Sequence, residues 1–318
     1  MTYVGIDVSK ATFVVAYSSA KSSKTKTFKN TTKGVHEFIQ TLSASEHHCV
    51  LEATGNYSSL LVYLLSQVGI TVSLENPLKI KNFARVMLSV TKTDETDARL
   101  IALYGEKMQP APYRLRSDAI LTLKQKRTVI RQLKKQLIAT RNLKGSMEAL
   151  PFFDPKCKKA IEKTIAFLEK QVKNLEEELA VLAQCEYKKQ MDLLISIKGI
   201  GVTLAAALIM ATGGFTYFDN AKQLTRYLGL SPTYQQSGTS VNVKGHINRN
   251  GDSSLRGQLY IAAMASLRCN AECFDRLRSN GKPGKVAVVA VANKLVRQAF
   301  AVVSQEKPYV DGFKSEKP

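Results

Sequence analysis

Tryptophan is absent from this 318-residue chain, histidine occurs four times, cysteine five times, and acids are far outnumbered by bases. Each shortage excludes something. Cys49, Cys157, Cys185, Cys269 and Cys273 are odd in number and scattered, so they do not read as a disulfide framework. Cys269 and Cys273 lie four apart, but no second Cys/His pair completes a zinc site. His47 and His48 are adjacent, and His36 and His246 are isolated. The thiols are expected to be reduced and structural, in a cytoplasmic compartment. Neither a basic leader nor an apolar leader precedes the first strand, so no secretory signal is expected. No stretch is read as approaching the ~18 apolar residues of a transmembrane helix. The acid shortage is the most informative: 26 Asp plus Glu against 46 Lys plus Arg leaves a formal charge of +20. Such an excess is the electrostatic footprint of a nucleic-acid binder, with a membrane-surface or generic basic protein as the plainer alternative.

Three zones follow one another. Over residues 1–110, apolar runs at 3–8, 11–17 and 24–29 predict three strands joined by short polar turns. A helix over about 32–43, a strand ending "HHCVLEATG", a helix near 57–68, the strand "TVSLENP" and helices from about 79 follow. That order predicts a mixed α/β sheet. Residues 111–190 are helix formers apart from a break at "LPFFDPK". Ile161, Ile165, Leu168, Val172, Leu175, Leu179 and Leu182 alternate four and three apart, as an a/d seam with Ile165, Val172 and Leu179 at a. β-branched residues at a with Leu at d favour a parallel two-stranded coiled coil, hence a homo-oligomer. The alternative is a hairpin against the preceding helix, through Ile130, Leu133 and Leu137. That helix carries Arg114, Arg116, Lys124, Lys126, Arg127, Arg131, Lys134, Lys135, Arg141 and Lys144 against Asp118 alone. Nearly single-signed charge implies repulsion unless a polyanion lies alongside, although a charge run is commonly just a solvated face. In residues 191–318, Lys198, Gly199, Ile200 and Gly201 sit between two helical segments, as in a helix-hairpin-helix whose turn offers backbone N–H groups to phosphate. A plain helix–helix turn is the other reading.

Four acids stand where apolar residues dominate. Asp7 lies within the strand "YVGIDVSK", and burying a lone carboxylate there costs several kcal/mol. Glu52 closes the apolar run of "CVLEATG". In "KTDETDARLIALYG", Asp94 and Asp97 share one helix face, and Thr93 suits the N-cap. Asp94 alone could serve only the helix-end dipole. Glu95 points elsewhere and is read as solvent-facing, while Glu75 in "VSLENP" is a fifth acid that spacing does not exclude. Carboxylates from two strands and a helix converge only around positive charge. Hard oxygen ligands suit Mg²⁺ or Mn²⁺, and in a basic protein the matching substrate is a phosphodiester.

An acid on the first strand, another on a later strand and more on a following helix resemble the ribonuclease H-like fold and its RuvC-type nucleases. "GIDVSK", "LEATGNY", Asn76-Pro77, "KTDETDA", "IKGIG" and "YLGLSPTYQQSGTSVNVKGHINRNGDSSLR", in that order, resemble the DEDD-type transposases of the insertion-sequence 110 family, to which the Piv DNA invertase is related. The likeness runs from residue 3 to about 300. It implies an α/β ribonuclease H-like (RuvC-like) N-terminal domain, a central helical coiled coil, and a mostly α-helical C-terminal domain with a helix-hairpin-helix. It implies Asp7, Glu52, Asp94 and Asp97 as the catalytic, metal-holding set and Ser237 in "QQSGTS" as the nucleophile, with Ser240 as the fallback. From residues alone, Ser237 reads as a Ser-Gly turn on a basic loop. Family members often carry a serine where Gln236 stands. Lys244, His246, Arg249 and Arg256 could hold nearby phosphates. The expected partners are donor and target DNA, a guide RNA from the element's own end, and further copies of the chain as dimer or tetramer. A hydrolytic junction nuclease is the competing function.

Overall fold

The computed structural model describes residues 1–18, 25–53, 55–88, 93–115, 117–237, 241–248 and 251–312; over 234–237 and 241–245 it describes the backbone alone. The chain divides into two compact units, Met1–Leu115 and Arg116–Pro318.

The first unit is built on β1 (Thr2–Val8), β2 (Thr12–Tyr17), β3 (Lys26–Lys29), β4 (His47–Glu52) and β5 (Thr71–Glu75), in spatial order β3-β2-β1-β4-β5. The first three strands pair antiparallel, whereas β4 and β5 run parallel to β1, so the mixed sheet expected from the element order is present. Strand alternation sorts the two faces. Val4, Ile6, Val8, Phe13 and Val15 pack with α1 (Thr32–Ile39) and α2 (Ser59–Gln67). On the opposite face Val50 packs with Ile80 of α3 (Pro77–Val86) and with Ile101 and Tyr104 of α4 (Asp94–Met108). Tyr3, Gly5 and Asp7 therefore look toward α4.

The second unit opens with two long helices, α5 (Asp118–Glu148) and α6 (Pro155–Glu186). They pack antiparallel. Ion pairs Lys126–Glu178, Lys134–Glu176 at 2.6 Å, Arg141–Glu169 at 2.6 Å and Lys144–Glu162 at 2.9 Å descend one helix as they climb the other. Leu168, Val172 and Leu179 of the seam are buried, with Ile120, Leu123, Ile130 and Leu137 from α5. The parallel self-association expected of this seam is thus corrected: α5 of the same chain covers it, and the hairpin is what forms. The argument from single-signed charge is corrected with it, because the acids of α6 neutralise part of the α5 cations.

Beyond the hairpin come α7 (Lys188–Ile195), α8 (Val202–Thr212), α9 (Ala221–Tyr227), the antiparallel pair β6 (Pro232–Ser237) and β7 (Val241–Ile247), α10 (Ser253–Ala265), α11 (Ala271–Ser279) and α12 (Gly284–Gln305). Their core is continuous with the hairpin: Leu123 and Leu179 share one cluster with Leu208, Leu259 and Leu295. The expectation that no stretch is apolar and long enough to span a membrane is overturned by α12, which passes on length and composition. Its apolar side is spent within the protein, where Val291, Leu295 and Val296 are fully buried.

Candidate active site

The placement of the acids begins with two glycines. A Cβ on Gly105 would stand 2.8 Å from Tyr3 Cδ1 and 2.9 Å from Val50 Cγ2, and one on Gly5 would run into Ala98 O and Ala102 N. Only glycine lets α4 lie this close to β1. The contacts also fix direction: Gly105 meets Tyr3, and Ala102 and Ala98 meet Gly5, so α4 runs antiparallel to β1. Four steps along the strand, from Tyr3 to Asp7, span about 13 Å, and eight steps along the helix, from Gly105 to Asp97, span about 12 Å. The first turn of α4 therefore arrives over Asp7. Thr93 starts that turn as N-cap in a capping box with Thr96: Thr96 N donates to Thr93 Oγ1 at 3.2 Å, and Thr93 N to Thr96 Oγ1 at 2.8 Å. Asp94, Glu95 and Asp97 are its acids. From the other side, Gly5 pairs with Val50 and Ile6 with Leu51, which brings Glu52 level with Asp7 on the same face.

Charge records this gathering. The Asp7 carboxyl is pushed up to about 6, first by burial, then by Asp97, Asp94 and Glu52, while an N–H from Val8 pulls the other way. The other three expected acids thus all act on the Asp7 carboxyl. The fifth acid is accounted for differently. Glu75 pairs in register with Glu52 but is buried against Lys79 Nζ at 2.7 Å and the Tyr104 hydroxyl. Among the described residues, no three His, Cys, Asp or Glu side chains are closed around a point as a ready metal cage. The donor set nonetheless fits a hard divalent cation in kind: four carboxylates from β1, β4 and α4, in mutual repulsion that such an ion would relieve.

Ser237 lies in the other unit. It ends β6, paired with Val241 across a hairpin where the sequence reads as a loop. The missed signal is the alternation of Val241 and Val243 with Asn242 and Lys244 after a Ser-Gly pair. The side chains of Ser237 and Lys244 lie outside the described ones, as do Ser240 and Arg249 altogether. His246 is exposed, and Arg256 is half-buried with Nη1 3.5 Å from Leu228 O. Lys198 and Gly199 stand exposed in the turn between α7 and α8. There Gly199 takes φ 97° and its Cα faces Ala262 O of α10, so its packing role is explicit; nothing crowds Gly201, the N-cap of α8. On α5, Lys126 and Lys134 are paired to α6, and Arg127 lies 3.3 Å from Asp252, a partner that sequence reading did not single out.

Comparison with known proteins adds an independent line. Residues 4–148 match the DEDD transposase family of IS110 type, and residues 191–278 match the transposase IS116/IS110/IS902 family. The chain is 30% identical over 319 residues to the pilin gene-inverting protein of Moraxella bovis, covering 97% of each. It is 31% identical over 129 residues to the insertion element IS110 uncharacterized 43.6 kDa protein of Streptomyces coelicolor, covering 40% of this chain and 32% of that protein. A probable family 20 transposase of Pseudomonas aeruginosa is 31% identical over 159 residues, 48% of this chain and 44% of its own.

Proposed function

The chain belongs to the IS110 family of transposases, and from that premise we propose a site-specific DNA recombinase that cuts and rejoins strands through Ser237, served by the acids around Asp7. The observation that carries the acid half is the convergence of Asp97, Asp94 and Glu52 on the Asp7 carboxyl. The first unit has the ribonuclease H-like fold that its DEDD family implies. Asp7, Glu52, Asp94 and Asp97 would hold Mg²⁺ or Mn²⁺. Such an ion, when bound, orients the attacking oxygen and stabilises the leaving one.

The serine half rests on family resemblance. Ser237 Oγ gives up its proton and attacks the scissile phosphorus; an O–P bond forms, the bond to the leaving sugar oxygen breaks, and that oxygen takes a proton. The phosphoserine keeps the energy of the broken phosphodiester, so a hydroxyl from another strand can displace the serine without a high-energy cofactor. Acids and serine belong to different compact units. On the family resemblance, and not on that division, we assign the complete site to an assembly of copies, dimers pairing into a tetramer, directed by a structured RNA of the element. Lys124, Arg131, Lys135, Lys198, Lys244, Arg249 and Arg256 are assigned to nucleic-acid phosphates. Inversion, as in the name of the full-length Moraxella relative, and insertion are the same exchange performed on differently arranged sites.

The test is strand exchange on a plasmid bearing the element's ends. Asp7→Asn, Glu52→Gln, Asp94→Asn and Asp97→Asn should each lose activity by about 10²-fold or more while far-UV circular dichroism is unchanged. Full activity of any one variant removes that residue from the site.

A further inference from the structure

In the unit Arg116–Pro318, a cavity of about 240 Å³ opens where α5 meets α6 and the starts of α8 and α10. One face of α5 supplies Arg127, Ile130, Arg131, Lys134, Lys135 and Ile138. The inner wall is aliphatic: Ile130, Leu179 and Met210 line it and are buried. Val202, at the opening, is 45% exposed. Four cations line the space against one acid, Glu176, which pairs with Lys134 at 2.6 Å. Among the described residues, Arg131 and Lys135 have no ion-pair partner. The helix start at Val202 and Thr203 adds partial positive charge, because Gly201 brings no side chain to cap it.

Two buried polar atoms of the lining lack hydrogen bonds: Arg127 Nη2, a donor, and Gln258 Oε1, an acceptor. Asp252 Oδ2 lies 3.3 Å from the Arg127 nitrogen but out of line for a hydrogen bond. Unmade hydrogen bonds of this kind are costly in an interior and are satisfied by water or by a ligand that supplies the missing partners. The ligand must bring anionic oxygens for Arg127, Arg131 and Lys135, an N–H for Gln258, and a flat or compact apolar body for the aliphatic wall. An inorganic anion lacks the last two, and a fatty chain lacks the N–H. A nucleotide has all three. The volume lies below the roughly 300 Å³ at which drug-sized sites begin, which suits one unit and not a duplex.

We propose that this cavity takes a single unstacked nucleotide of a bound strand, its base against Ile130, Leu179 and Met210, a base N–H on Gln258 Oε1 and its phosphate on Arg127, Arg131 and Lys135. The proposal rests on the reading that the protein works on nucleic acid. It goes further in turning a basic helix and a glycine turn, separate in sequence, into one built site.

The test uses the full chain and single-stranded 12-mers of RNA and of DNA of one sequence, each carrying 2-aminopurine at one position in turn. Anisotropy reports binding, and 2-aminopurine brightens when it leaves the stack; no aromatic side chain lines the cavity to quench it. Bound wild type should raise the emission at one position several-fold. Val202→Phe and Ala180→Phe, which fill the space without touching charge, should abolish that rise and weaken binding by less than about tenfold. Arg131→Gln with Lys135→Gln should weaken binding and lower the salt slope by up to about two. A rise with RNA alone or DNA alone identifies the strand. Binding with no rise, or a rise unchanged in both filled variants, overturns the proposal. No binding to either strand overturns the nucleic-acid reading beneath it as well.

Discussion

Asp7 is a residue whose function and stability oppose each other. Its carboxyl holds a proton up to about 6 in the folded chain against 3.8 ordinarily, so the folded state binds that proton more tightly than the unfolded one. Stability therefore falls as pH rises from about 4 through 6, and the full cost remains above. A displacement of that size corresponds to about 3 kcal/mol, which screening at a half-buried carboxyl reduces to about 1–2 kcal/mol. In metal-free protein, Asp7→Asn should accordingly raise the thermal midpoint at pH 7.5, with little gain at pH 4. Mg²⁺ should raise the midpoint of wild type and leave Asp7→Asn nearly unmoved. A lower midpoint for Asp7→Asn at pH 7.5 would mean that the acids do not crowd it. Asp7 was legible because an acid in an apolar strand demands a partner. Gly5 was not, since the backbone it makes room for lies more than ninety residues away.

At the scale of elements, the α5–α6 hairpin makes the clearest prediction. Leu179 is buried in the seam between the two helices, so Leu179→Ala should cost about 2–4 kcal/mol in urea unfolding. The loss should be equal at low and high protein concentration; a loss that shrinks on concentration would assign the seam to contacts between chains. The exposed pair Arg141–Glu169 should contribute no more than about 1 kcal/mol. Heptad spacing identified the seam, but the helix that covers it could not be chosen from spacing. Neighbouring and distant copies of α5 present the same apolar stripe, and a short turn decides in favour of the neighbour. The strands of the first unit were legible because alternation and turn residues mark each one. The β6–β7 hairpin was obscured by its polar, Gln- and Ser-rich strand, and α12 by Asn293, Lys294, Arg297 and Gln298, which break its apolar run.

Across the whole molecule, the +20 charge is unevenly committed. Acids of α6 take up Lys126, Lys134, Arg141 and Lys144, while Arg131 and Lys135 face a cavity with an aliphatic wall. Net charge alone therefore overstated how much of α5 awaits a polyanion. The acids and Ser237 occupy separate units, and nothing in either unit makes the serine's role readable by itself. On the proposed mechanism, strand exchange passes through a protein–DNA bond at that serine. The most direct measurement is made in cells expressing the gene with its natural flanking DNA, wild type beside Ser237→Ala, lysed under denaturing conditions and assayed for protein covalently attached to DNA. An adduct in wild type that Ser237→Ala lacks is the predicted result. Cut DNA with no adduct in either protein would contradict the account and make the acids around Asp7 those of a hydrolytic nuclease.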